Sequence, residues 1–175
     1  LGDRVQLMAA EIRDHAVALR VIQPGTGDAA CCPGEVAERT LSWRNGALVE
    51  TGSAPSHRLS SADLAGRVWT LLSIDGETIV GLESPVTLSL DGEAVSGHGG
   101  CNSYRGTASA GTDPGTMRFR VLATTRMACP ELQTGLEQRY LADLGRIHGF
   151  RFVATRLLLV GADPARGALL FEASP

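Results

Sequence analysis

The sequence predicts a mainly β chain with one principal α-helix, an α+β class, and three observations predict it. Short apolar runs alternate with a period of two, as in Val17, Leu19 and Val21 or Met117, Phe119 and Val121, which sends successive side chains to opposite faces of a strand. Clusters of Gly, Pro, Asn and Asp cut these runs apart at the spacing of turns. Only the stretch after Cys129 has a helical repeat, Leu132, Leu136, Tyr140 and Leu144 standing four apart with Leu141 widening the stripe.

In chain order, strands are expected over 4–12 and 16–22, joined through Arg13-Asp14-His15. Pro24-Gly25-Thr26-Gly27-Asp28 and the following Ala-Ala-Cys31-Cys32-Pro33-Gly34 are dense enough in Gly and Pro to force a loop. A third strand over 39–43 turns on Arg44-Asn45-Gly46 and returns over 47–50, Asn-Gly being the pair best suited to a tight hairpin. From Thr51 to Ser61 the chain is rich in Gly, Ser, Pro, Thr and His, with only Leu59 clearly apolar. That composition is a linker's. It divides the chain into a small β segment at 1–50, a linker at 51–61 and a larger domain at 62–175.

The larger domain opens with a strand over 68–74 that turns on Asp75-Gly76. Strands over 86–90 and 95–97 follow, the second running into Gly99-Gly100-Cys101-Asn102-Ser103-Tyr104-Arg105-Gly106, and another over 117–121 has one apolar and one arginine-bearing face. The helix starts at Pro130-Glu131, where proline suits a first helical turn and glutamate complements the positive helix end. Gly145 and Gly149 bracket its end, and three closing strands are expected over 150–153, 156–160 and 168–173, the last two separated by Gly161-Ala162-Asp163-Pro164.

The 175 residues are 43% hydrophobic and carry a net charge of −3. That balance gives enough apolar material for a core and argues against a nucleic-acid surface, which presents a basic face. All 16 basic residues are arginine, a usage that reads as composition bias. No stretch reaches the roughly 18–20 apolar residues of a membrane span. The chain starts at Leu1 in strand-like sequence, and a signal or anchor segment is expected upstream.

Residues 1–50 resemble the C-terminal half of the LppP/LprE type of bacterial envelope lipoprotein domain. The resemblance rests on the opening Leu-Gly-Asp-Arg-Val-Gln-Leu, on Gly27-Asp28 before Cys31-Cys32-Pro33, and on Gly46-Ala47-Leu48-Val49. The larger domain resembles the META, or HslJ-like, domain. The residues that carry this are Trp69 with Leu71-Leu72, Gly76, the Gly100-Cys101-Asn102 and Tyr104-Arg105-Gly106 core, Thr125-Arg126-Met127-Ala128-Cys129, the helix, and the strands with Leu157-Leu158-Leu159 and Leu169-Leu170-Phe171. The resemblance implies a small cracked antiparallel β-barrel closed on one side by a helix, in envelope, secreted or heat-shock-associated proteins, with no catalytic residue to carry over. The residues before the linker are expected to add a small β-meander.

Gly97, Gly99 and Gly100 suit a tight barrel corner where backbones approach closely, and Asn102 suits a bridge to backbone groups there. A phosphate-binding loop would place its glycines before a helix with a lysine, and this chain has none. Trp69 and Phe171 are expected in the core, and Arg126 in a hydrogen bond or ion pair at the barrel end. Four cysteines allow three full pairings. Cys101 and Cys129 occupy equivalent places in the two linked motifs, and a bridge between them would stabilise by about 3 kcal/mol on the chain-entropy model. Cys31 and Cys32 are left as a vicinal bridge, as free thiols or in a cross-domain link. Adjacent Cα atoms stand about 3.8 Å apart, below the usual range of about 4.4–6.8 Å for a bridge.

His15, His57, His98 and His148 have no metal-ligand spacing, and Ser96 or Ser103 with His98 has neither an elbow motif nor an acid partner. The expected function is therefore non-catalytic, without metal or cofactor. It is that of a bacterial cell-envelope or periplasmic module, with membrane contact through an upstream lipid anchor, that serves stress-related envelope maintenance by binding a small apolar ligand or an envelope protein. The alternative is thiol-redox or metal-binding activity at Cys31 and Cys32.

Overall fold

The structure, a computed structural model, describes residues 4–29, 31–163 and 166–174, leaving aside the side chain of Leu122. The parts of the sequence motifs that fall on Leu1, Gly2, Asp3, Ala30 and Pro164 lie outside the described residues. Strands β1 (Gln6–Arg13), β2 (Ala16–Gln23), β3 (Glu35–Arg44) and β4 (Ala47–Arg58) form an antiparallel meander. Asp14 and His15, then Asn45 and Gly46, take positive φ, the conformation that two-residue hairpin turns need to match strand twist.

Residues 51–58, expected as linker, continue β4. All twelve residues of β4 are exposed and it pairs only with β3. An edge strand that buries neither face needs no apolar alternation, so its composition reads as coil while its backbone still completes a ladder. The only non-strand part of the expected linker is the turn that enters the short 3-10 segment Ser61–Leu64.

The second sheet runs through β5 (Val68–Ile74), β6 (Glu77–Thr78), β7 (Thr87–Asp91), β8 (Ala94–His98), β9 (Ser103–Ala110), β10 (Met117–Thr124), β11 (Ile147–Val153), β12 (Arg156–Gly161) and β13 (Leu169–Ala173). Its spatial order is β10-β9-β8-β7-β5-β13-β12-β11, all antiparallel, with β6 paired to β5. No continuous ladder joins the two end strands among the described residues; backbone contact across the gap comes from a Thr116–Gly149 bridge and the Phe150 amide, which donates to the Gly115 carbonyl at 2.7 Å. The result is a nearly closed barrel with a seam. The one α-helix among the described residues, α1 (Glu131–Leu144), lies against β10.

The meander is fastened to β11 beyond this seam. The Phe152 amide donates to Gln6 Oε1 at 2.8 Å and the Thr155 amide to the Leu7 carbonyl at 3.1 Å. Met8, Ile22 and Val36 of the meander belong to the same buried cluster as Leu59, Leu64, Trp69, Phe150 and Phe152. One core therefore serves both sheets. The opposite face of the meander has its own small cluster of Leu19, Val21 and Ala37, flanked by Val17 and Leu41.

The barrel interior is filled by side chains, with Trp69, Tyr140 and Phe171 fully buried and Tyr104 nearly so. Their rings meet in tilted or edge-on contacts at 5.8–6.4 Å, among them Tyr104–Tyr140 and Tyr140–Phe171, the geometry that aromatic quadrupoles favour. On the helix, Tyr140 and Leu144 are buried, but Leu132 is 88% exposed. Leu132 stands in the first turn, before α1 reaches the barrel, so its place in the four-residue repeat does not bring it inside.

Candidate functional site

The two linked motifs meet at one corner of the barrel. The Gly99 amide donates to the Asn102 carbonyl at 2.7 Å, closing a tight turn between β8 and β9. Cys101 in this turn is bonded to Cys129, which ends the extended segment leading from β10 to α1, with Cα atoms 6.0 Å apart. Asn102 is buried and uses its whole side chain. Its Oδ1 accepts from the Met127 amide at 2.7 Å and from Thr125 Oγ1 at 3.0 Å, and its Nδ2 donates to Glu137 Oε1 at 3.0 Å. The Asn102 amide donates to Glu137 Oε2 at 2.5 Å, and Thr125 Oγ1 accepts from the Ser103 amide at 3.1 Å.

Glycine is required where these groups converge. A Cβ on Gly99 would stand 2.7 Å from Glu137 Oε2, and one on Gly97 would stand 2.1 Å from the Thr87 carbonyl oxygen. Without those methyls, the Tyr104 hydroxyl reaches past Gly97 to donate to the Thr87 carbonyl at 2.9 Å, and it meets the Tyr140 hydroxyl at 2.7 Å. Burial pushes both phenols well above their ordinary value. They stay neutral and act as hydrogen-bond partners. The corner thus joins two strands, the segment before α1 and the helix itself, and among the described residues its buried polar side chains all have hydrogen-bond partners.

Glu137 is the member of this corner that sequence reasoning missed. Its signal was present, because it stands three and four residues before Tyr140 and Leu141 on the apolar stripe, a place where a carboxylate needs a buried partner. Arg126, expected to bond at the barrel end, is exposed and has no partner among the described residues. Gly106 lies against the Arg120 carbonyl, 2.2 Å from where its Cβ would stand, which keeps β9 and β10 close. Trp69 donates from Nε1 to the Leu64 carbonyl at 2.9 Å.

The other sites considered from sequence lie apart. His98 Nδ1 accepts from the Gly100 amide at 3.1 Å and so supports the turn. His148 contacts Arg118. Among the described residues no three of His, Cys, Asp and Glu come together as a metal-holding group. Ser56 Oγ lies 3.0 Å from His57 Nδ1, and His57 Nε2 lies 2.8 Å from Asp63 Oδ1. This has the order of nucleophile, base and acid, but Asp63 is also held by Arg20 at 2.6 Å and by the Ser60 amide at 3.0 Å. Its work is to close the turn before β5, and Ser56 stands on the fully exposed β4.

Cys31 and Cys32 are bonded to each other in the loop between β2 and β3. Asp28 organises that loop. Its Oδ2 accepts from the Gly25 and Gly34 amides, both at 2.7 Å, and its Oδ1 accepts from Arg58 at 2.5 Å. These hydrogen bonds, that from Arg58 foremost, lower its pKa from 3.8 to about 2. A crevice of about 370 Å³ beside the bridge is lined by Asp28, Cys31, Cys32, Arg58, Asp113 and Pro114, among others.

A family model described as the META domain matches residues 62–174. This is well over half of the chain, and the chain belongs to that family. No curated protein matches it. A protein solved by NMR aligns with 65% of this chain and 94% of its own length, at 21% identity and a TM-score of 0.51, a likeness of fold alone.

Proposed function

From a META-family fold whose barrel interior is filled, we propose a non-catalytic module of the bacterial cell envelope that binds a small apolar ligand or an apolar segment of a protein partner. The observation that carries this reading is the outer face of the meander. Ile12, Trp43 and Leu48 are 82%, 66% and 52% exposed. Register sets Trp43 opposite Leu48, Ile12 opposite Val17 and Val17 opposite Leu41, so these side chains share one face. Large apolar side chains gathered in the open mark a binding surface.

Two bridged cysteine pairs fit an oxidising compartment. The resemblance of residues 1–50 to LppP/LprE lipoprotein domains supports export, with a lipid anchor upstream and a part in stress-related envelope maintenance. No helix is long and apolar enough to cross a membrane among the described residues.

The test uses the two tryptophans. Trp43 is exposed while Trp69 is fully buried, so Trp43 alone reports on this face. Titration with the apolar probe 8-anilinonaphthalene-1-sulfonate is expected to saturate, with a blue shift of Trp43 emission, and to weaken at least about tenfold in Leu48→Ser with Ile12→Ser. Unsaturable binding, or equal binding by that variant, contradicts the reading.

A second reading, thiol–disulfide exchange at Cys31 and Cys32, is favoured by the exposure of Cys31 in the bridged loop. The bridge would be reduced to two thiols as an external dithiol is oxidised. Unchanged disulfide-reductase and isomerase activity in Cys31→Ser with Cys32→Ser ends it.

A further inference from the structure

Residues 94–130 contain four arginines, Arg105, Arg118, Arg120 and Arg126, and one acidic residue, Asp113, in a chain of net charge −3. Tyr104, Ala108, Met117 and Phe119 point into the barrel. Strand alternation therefore turns Arg105, Arg118 and Arg120 outward, and all three are exposed. The register sets a hydroxyl opposite each of them: Ser96 opposite Arg105, Thr107 opposite Arg120 and Ser109 opposite Arg118.

Arg20, Arg58, Arg139 and Arg146 each pair with a carboxylate, of Asp63, Asp28, Glu77 and Asp143 in turn. On this face, among the described residues, no carboxylate pairs with Arg105, Arg118, Arg120 or Arg126. Arg118 instead meets His148 across the seam, NH1 donating to Nε2 at 3.3 Å. Like charges held together on neighbouring strands repel, and an anion would relieve them.

We propose that this outer face of β8, β9 and β10 docks on the phosphate headgroups of an anionic phospholipid bilayer. Guanidinium groups are weakly hydrated planar donors suited to phosphate oxygens, and the facing hydroxyls add further donors. Arg118 and Arg120 stand about 7 Å apart along one strand, and Arg105 lies on the next strand, diagonal to Arg120 at about 7–8 Å. A two-dimensional array of this kind matches a surface of headgroups better than a single extended chain. Among the described residues, none of the large exposed apolar side chains stands on β8, β9 or β10, whereas a stable protein interface is built around such anchors. Acidic residues more than a Debye length of about 8 Å from this face act on it only weakly at physiological salt.

The test is co-sedimentation of the full chain with vesicles of phosphatidylcholine alone and with added phosphatidylglycerol, at low and high salt. Binding is expected only to the anionic vesicles and to fall with salt. Arg118→Gln with Arg120→Gln should lower partitioning about 30-fold, each arginine near an anionic surface contributing about fivefold. Arg118→Lys with Arg120→Lys should retain most of it. Arg13→Gln with Arg44→Gln removes the same charge from the meander and should change partitioning little. Equal binding to neutral vesicles overturns the proposal, as does equal loss in the meander variant or full binding by the glutamine variant. Binding to soluble polyglutamate without binding to vesicles also overturns it and points to an acidic protein. Thermal melting of each variant shows that the barrel is intact.

Discussion

Asn102 and Glu137, thirty-five residues apart, meet in a double contact in which the Asn102 amide and Nδ2 both donate to the Glu137 carboxylate. One carboxylate from the helix thereby satisfies two donors of a buried turn. The Gly99–Gly106 motif is for this reason a latch between turn, strand and helix.

Glu137→Ala removes the acceptor of the Asn102 main-chain N–H and leaves Nδ2 only its weak contact to Cys101 Sγ in a buried corner. Unsatisfied buried donors cost about 1–3 kcal/mol each, so we expect a loss of about 2–4 kcal/mol of stability by urea denaturation. Glu137→Gln keeps one acceptor oxygen and should lose less.

Two glycines should respond in opposite directions. Gly99→Ala puts a methyl against Glu137 Oε2 and should destabilise by about 1–3 kcal/mol, as overpacking does. Gly135 sits exposed within α1, with nothing near its missing Cβ. Gly135→Ala should stabilise by about 0.5–1 kcal/mol. Thermal denaturation of the pair distinguishes a crowded corner from a general tolerance of alanine.

Much of this architecture was legible in the sequence where one face is buried. β5 was bounded as observed, and the arginine-bearing alternation of β10 and the Asn45-Gly46 turn were plain. β9 was not recognised as a strand, because its inward positions include Gly106 and Ala108, too small to register as an apolar face. β4 was read only over 47–50 and its remainder, 51–58, was taken for linker for the opposite reason, since neither of its faces is buried. The helix was found, but Leu132 shows that a four-residue repeat gives a face and not the point at which that face meets its partner. Glu137 broke the stripe and was passed over, although a charge on a buried face is the sequence mark of a polar latch.

Acid should weaken the loop around Cys31 and Cys32. The folded carboxyl of Asp28 titrates at about 2, below its ordinary 3.8, so its ionised form stabilises the fold. That contribution is complete above the ordinary value and is lost as pH falls through about 2. Asp28→Asn should flatten the stability-versus-pH curve in this window and leave its slope near neutrality unchanged. Denaturation curves across the acid range check this.

Opening the Cys101–Cys129 bridge should loosen the corner without dissolving the barrel. The bridge spans a sequence separation of 28, for which loop-closure entropy gives about 3–4 kcal/mol. Cys101→Ser with Cys129→Ser should lose that much. Hydrogen exchange should rise first at the Met127 and Ser103 amides, both of which are bonded within the corner.

The most direct test of the latch is peptide mapping of the unreduced protein by mass spectrometry. The account predicts one peptide pair joined through Cys101 and Cys129, and a separate peptide whose mass shows Cys31 bonded to Cys32. Free thiols at Cys101 and Cys129, or either of them joined to Cys31 or Cys32, would contradict it.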